Sequence, residues 1–199
     1  MTVASVVGLL VPALDEGTVG DAVLGTGLGI GFLVASRWFI DSPRTKLAST
    51  AERRTALLVF LVLFVHSLPE GFAIGTAYAS DTAGLSLFVI IAIGVQNVPE
   101  GTSVAIPLAA AGYGRARQFW AAVGTSAPQP VGALIAYVLV EEITGLLPIS
   151  FAFAAGAMLA LVALELGPSA FRSGHARLAL LGTALGAGVM LALSALLGV

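Results

Sequence analysis

Apolar residues run along this 199-residue chain in long stretches that polar residues interrupt only briefly. TALLVFLVLFV at 55–65 and LSLFVIIAIGV at 85–95 are representative, and neither alternates apolar with polar positions. A strand of a membrane barrel would show that alternation, so the runs predict helices. About 20 such residues are enough to cross a ~30 Å hydrocarbon core. The pattern places spans near 22–40, 55–79, 85–110, 117–140, 147–167 and 176–198, with a shorter apolar segment at 1–14. The expected fold class is an all-α integral membrane protein, a bundle of about seven transmembrane helices forming one domain over 1–199.

Composition points the same way. Hydrophobic residues make up 58 % of the chain and charged residues 10 %, with a mean hydropathy of +1.01. A soluble domain carries about 25 % charged residues. Met1–Leu14 has neither the basic start nor the cleavage site of a signal peptide, so the chain is expected to begin inside a membrane helix. Cysteine is absent, which excludes disulfides and a thiolate metal site.

The formal net charge of −2 says less than its distribution. All nine basic residues (Arg37, Arg44, Lys46, Arg53, Arg54, Arg115, Arg117, Arg172 and Arg177) fall in or beside the connections after the second, fourth and sixth spans. The other connections hold Asp15, Glu16 and Asp21, then Asp81, then Glu141 and Glu142. The positive-inside rule makes the basic ends cytoplasmic and puts the C-terminus outside. The one long connection, DSPRTKLASTAERR at 41–54, reads as a solvated cytoplasmic loop, with lipid headgroup contact as the alternative. His175, between Arg172 and Arg177, is expected to face solvent.

Gly25, Gly27, Gly29 and Gly31 form a glycine string inside an apolar span, where close helix packing is the fitting role and a dinucleotide loop is not. Gly182, Gly186 and Gly188 read the same way. Three acids cannot be assigned to loops: Glu70, Glu100 and Glu165. An acid at a helix centre costs roughly 2.5–3.5 kcal/mol on insertion scales, so these are the functional candidates.

Two of them sit in a repeated motif, HSLPEG at 66–71 and QNVPEG at 96–101. Positions i and i+4 of a helix share a face, which pairs His66 with Glu70 and Gln96 with Glu100. The short connection at 80–84 makes the two helices antiparallel neighbours, so both pairs meet at one depth. One imidazole nitrogen, one amide oxygen and two carboxylates then converge in a dry bundle, the outline of a first-row divalent metal site. Pro69 and Pro99 each free a carbonyl one turn earlier, at Val65 and Val95, and Gly71 and Gly101 permit close approach beside the acids. Two carboxylates in one cavity would also suit a proton path, since without a cation one of them must hold a proton. An intramembrane metal hydrolase is the weaker rival, because His66 is the only histidine inside a span.

HSLPEGFAIG and QNVPEGTSVAIPL resemble the fourth and fifth helices of the ZIP family of divalent metal transporters. SAPQPVGALIAY resembles that family's sixth helix, and FAAGAMLALVALELGPSAF its seventh. The resemblance implies a carrier, not an enzyme, moving Zn²⁺ foremost, or Fe²⁺, Mn²⁺ or Cd²⁺, into the cytoplasm by alternating access. It implies a homodimer in the plasma membrane, in contact with the lipid bilayer and with no nucleic-acid partner. It assigns a first metal position to His66, Glu70, Gln96 and Glu100, and a second position to Ser67, Asn97, Glu100 and Gln129. Gln129 stands where the family commonly has a glutamate. The first position keeps two carboxylates and the second would have to share Glu100, so a single-ion site is expected. Glu165 would line the inner exit and Asp15 the entrance. The family has eight helices with both ends outside, and the spans here match helices two to eight, so the first is missing or the start is misplaced. A non-transporting or regulatory relative stays open on that account.

Overall fold

The computed structural model describes residues 1–40, 50–143, 145–172 and 176–199. Among these residues the architecture is entirely helical. The amino-terminal segment comprises α1 (Thr2–Ser5), a π-helical turn (Val6–Leu10) and α2 (Val11–Glu16). Then come α3 (Val19–Ile40), α4 (Ala51–Ala79) and α5 (Leu85–Ala110). The remaining elements are α6 (Arg115–Thr125), α7 (Pro128–Glu142), α8 (Leu147–Leu161), a second π-helical turn (Val162–Leu166), α9 (Gly167–Arg172) and α10 (Ala176–Leu197). Among the described residues six stretches are long and apolar enough to cross a membrane: α3, α4, α5, α6 with α7, α8 with its π turn, and α10.

Local chemistry sets the helix boundaries. Thr50 caps α4 by accepting from the Arg53 backbone N–H at 3.4 Å, which satisfies one of the orphan donors of the first turn. Gly84, at φ +78°, opens α5 in the left-handed region, and a Cβ there would overlap the Leu197 carbonyl. The apolar run read as a single span at 117–140 is divided. Pro128 and Pro130 lack N–H donors, and the backbone at Ala127 and Gln129 bonds three residues back, to Gly124 and Ser126, at 3.2 and 3.1 Å. The chain therefore turns between α6 and α7 before α7 resumes. Pro69, by contrast, sits inside an unbroken α4, and Pro99 and Pro107 inside α5.

Helix α8 runs through the middle of the bundle, with Phe151, Met158 and Leu161 buried. They pack with Leu9, Leu85, Phe88 and Leu33 from the surrounding elements. Two helix pairs are joined backbone to backbone by glycines spaced four apart. In α3, a Cβ at Gly25 would strike Ala152, and one at Gly29 would overlap the Phe153 carbonyl; Gly156 of α8 lies equally tight on Thr26. In α4, Gly71 and Gly75 lie against the Gln129 and Ala133 carbonyls of α7, while Gly132 lies against the Leu68 carbonyl. Small residues permit this approach, and with apolar solvent outside, close packing is what holds such helices together.

Sequence reading assigned close packing to more glycines than use it. Gly27 and Gly31 face the other side of α3 and have open space where a Cβ would go. Gly182, Gly186 and Gly188 on the peripheral α10 likewise meet nothing within the chain. The correction follows from helix geometry, since a glycine string covers all faces and only one face of α3 meets α8. Gly29→Val is therefore expected to lower stability by about 1–3 kcal/mol through overpacking. Gly27→Val, two residues away, should change it little, and thermal melting of the detergent-solubilised variants compares the two.

Candidate functional site

The repeated motifs meet as their spacing predicts. Helix α4 brings His66 and Glu70 into the bundle, both fully buried, and α5 brings Gln96, 6 % exposed, and Glu100 beside them. His66 Nε2 lies 3.7 Å from Glu70 Oε1. One ligand atom from each of His66, Glu70 and Glu100 falls within 4.8 Å of the others. The short turn after α4 sets the register that makes this possible, and the shared i,i+4 faces supply the direction.

Glu70 is held from two sides. Gln96 Nε2 donates to its Oε1 at 2.8 Å, and Gln129 Nε2, from the start of α7, donates to its Oε2 at 2.6 Å. Gln129 reaches it because Gly71, the next residue along α4, lets the α7 backbone come into contact at that level. Asn97 and Gln129 form a reciprocal amide pair: Asn97 Nδ2 donates to Gln129 Oε1 and Gln129 Nε2 to Asn97 Oδ1, both at 3.2 Å.

The cluster thus divides into spent and unspent atoms. The amide groups of Asn97 and Gln129 satisfy each other and Glu70. Both ring nitrogens of His66, Gln96 Oε1 and Glu100 Oε1 are buried without a hydrogen-bond partner. Buried polar groups are nearly always paired, so one imidazole nitrogen, an amide oxygen and a carboxylate oxygen left unpaired beside Glu70 call for a ligand. An imidazole, two carboxylates and an amide oxygen form a mixed nitrogen and oxygen donor set suited to a divalent transition metal, and the two carboxylates match the charge of one such ion.

The other residues singled out from sequence lie elsewhere. Ser67 is buried next to the cluster, but its hydroxyl donates to Leu63 O of its own helix at 3.1 Å. Glu165, on the π turn after α8, pairs with Arg37 of α3 at 3.1 Å, outside the His66 group. A small cavity beneath that pair is lined by Leu33, Ile40, Val62 and Val65, so it reaches the residue before His66. Asp15 is exposed near the end of α2. His175, Arg44 and Lys46 lie outside the described residues. Sequence reading did not find Arg37 as the partner of Glu165, although a lone arginine closing the apolar run of α3 was the available signal. Nor did it find the donor roles of Gln96 and Gln129 toward Glu70.

The family model for ZIP zinc transporters matches residues 40–194. The chain belongs to the ZIP zinc transporter family. It is 39 % identical over 144 residues to the zinc transporter GufA of Myxococcus xanthus, covering 72 % of this chain and 57 % of that protein. It is 33 % identical to the zinc transporter ZIPB of Bordetella bronchiseptica over 71 % of this chain and 46 % of that one. Human zinc transporter ZIP11 is 37 % identical over 73 % of this chain and 44 % of its own length. The chain spans about half the length of these relatives. As a ZIP family member with six membrane-length helices, it is a multi-pass membrane protein.

The hydrogen bonds to Glu70 make a direct prediction. Gln129→Leu keeps the volume but strands Glu70 Oε2 and both polar atoms of the Asn97 amide. It should cost about 1–3 kcal/mol, the penalty for unsatisfied buried groups. Asp15→Asn, at an exposed position, should leave the same thermal melt unchanged.

Proposed function

We propose that this chain carries a divalent transition metal, zinc foremost, toward the cytoplasm through one buried binding site. The observation that carries this reading is the convergence of His66, Glu70 and Glu100 within 4.8 Å, beside the unpaired Gln96 oxygen. Four donors without thiolate suit an ion that must be held and then released, and they admit Fe²⁺, Mn²⁺ and Cd²⁺ as well. A single ion is favoured by charge, because two carboxylates neutralise one dication and the neighbouring Asn97 and Gln129 are neutral amides bonded to each other.

Alternating access is supported by how the site is mounted. Every residue of the cluster comes from α4, α5 or α7, and α4 and α7 are locked together by Gly71, Gly75 and Gly132. Helices α3 and α8 form a second locked pair through Gly25, Gly29 and Gly156. Relative movement of two such bodies would expose a site borne by one of them first to one side and then to the other. We place the arginine-bearing ends in the cytoplasm and the C-terminus outside, in the plasma membrane. A homodimer formed through the α3 and α10 side would cover apolar faces that include Val23, Leu28, Leu181 and Leu185, all exposed in one copy.

Zinc uptake into proteoliposomes tests the reading. The wild-type chain should give zinc-dependent flux, and Glu100→Ala should reduce it by at least about tenfold, the effect of losing roughly 1.4 kcal/mol of ion binding. Titration calorimetry should give one zinc per chain. Two ions at full occupancy would refute the single-ion site, and wild-type protein that neither binds nor moves zinc would refute the transport reading.

A further inference from the structure

A basic and aromatic cluster lies at the end of the bundle where α4 and α6 begin, away from the buried site. Arg53, on the first turn of α4, holds its guanidinium carbon 5.9 Å from the centre of the Tyr113 ring. Arg117, on the first turn of α6, holds its own at 5.7 Å from the same centre. Tyr113 is fixed between them. Its N–H donates to Leu108 O at 3.0 Å, and its carbonyl accepts from Gln118 Nε2 at 2.6 Å. Two helices thus deliver two exposed cations to one half-buried ring.

Cation–π attraction helps to hold each guanidinium, but gathering two of them opposes their mutual repulsion. Arg54 and Arg115 add to that repulsion, and the two first turns contain one acid, Glu52. Among the described residues the cluster thus holds four arginines against one acid beside the Tyr113 ring. Its depth is marked by aromatic neighbours. Phe119 and Trp120, on the next turn of α6, are 61 % and 68 % exposed, and Trp38 and Phe39 close α3 in the same state. Exposed tryptophan at the ends of apolar helices sits at the boundary between headgroups and hydrocarbon. An anion at that level is a lipid phosphate, and its acyl chains would lie against Phe119 and Trp120.

We propose that Arg53 and Arg117, set on Tyr113, clamp the phosphate of an anionic phospholipid. Guanidinium groups match phosphate with paired donors, and two of them reaching from α4 and α6 bind one headgroup across the two helices. A free phosphate would use the arginines but leave the aromatic pair without a role. The proposal does not depend on the metal site.

Native mass spectrometry of the full chain with equimolar phosphatidylglycerol and phosphatidylcholine tests it. The wild-type protein should retain the anionic lipid over the neutral one on the order of tenfold, given the contribution of each arginine near such a surface. Arg53→Gln with Arg117→Gln should bring the ratio close to one, whereas Arg54→Gln with Arg115→Gln should keep most of it. Tyr113→Leu, which leaves the arginines but removes their platform, should also lose the preference, and it serves as the test if the double variant fails to fold. Unchanged thermal melting of the detergent-solubilised variants would show that they are folded. Equal retention of both lipids by the wild type, or equal loss from the two double variants, overturns the proposal, the latter meaning diffuse surface charge. Displacement of the lipid by millimolar inorganic phosphate overturns it in favour of a free-anion site.

Discussion

The contact of Gly71 with the backbone of Gln129 is the constraint on which the site depends. A glycine immediately after Glu70 removes a side chain that would keep α7 at an ordinary interhelical distance at that level. With α7 brought in, the Gln129 amide reaches Glu70 and Asn97 together, which ties three helices into one network. Gly75 and Gly132 extend the same close approach along the crossing, so the position of Gln129 is set by backbone against backbone and does not rest on one flexible side chain. The acid and the glycine of HSLPEG thus divide their work: the acid is the group the network is built around, and the glycine determines which partner can hold it.

Hydrogen-bond bookkeeping then explains why a polar cluster survives in an apolar interior. Burial of a carboxylate is tolerated when donors surround it, and Glu70 has one amide at each oxygen. Those donors are neutral, so they orient Glu70 without cancelling its charge. The atoms left over are the ring nitrogens of His66, Gln96 Oε1 and Glu100 Oε1. The amide N–H groups are thus spent on Glu70 and on the Asn97 and Gln129 pair, while lone pairs remain on Gln96 and Glu100.

Much of this was legible in the sequence, and the reasons are local. Continuous apolar runs require helices whatever their partners, and i,i+4 spacing fixes the faces of His66 with Glu70 and of Gln96 with Glu100. The role of Gly71 could also be anticipated, because a small residue beside a buried acid has few other uses. Choices made between distant segments were not legible. Nothing near Gln96 indicates that its amide nitrogen goes to Glu70 while its oxygen stays free, and nothing near Glu165 names Arg37, 128 positions earlier by their numbers. The glycines of α10 meet nothing within the chain, and whether a small-residue face is used depends on a neighbour that the local sequence does not specify.

The pairing of Glu165 with Arg37 has an electrostatic meaning for the bundle as a whole. Of the three acids inside the apolar runs, this one has its charge cancelled by a guanidinium from another helix, whereas Glu70 is held by the neutral amides of Gln96 and Gln129. The third acid is thus spent on tying α3 to the π turn after α8, while the other two stay together between α4 and α5.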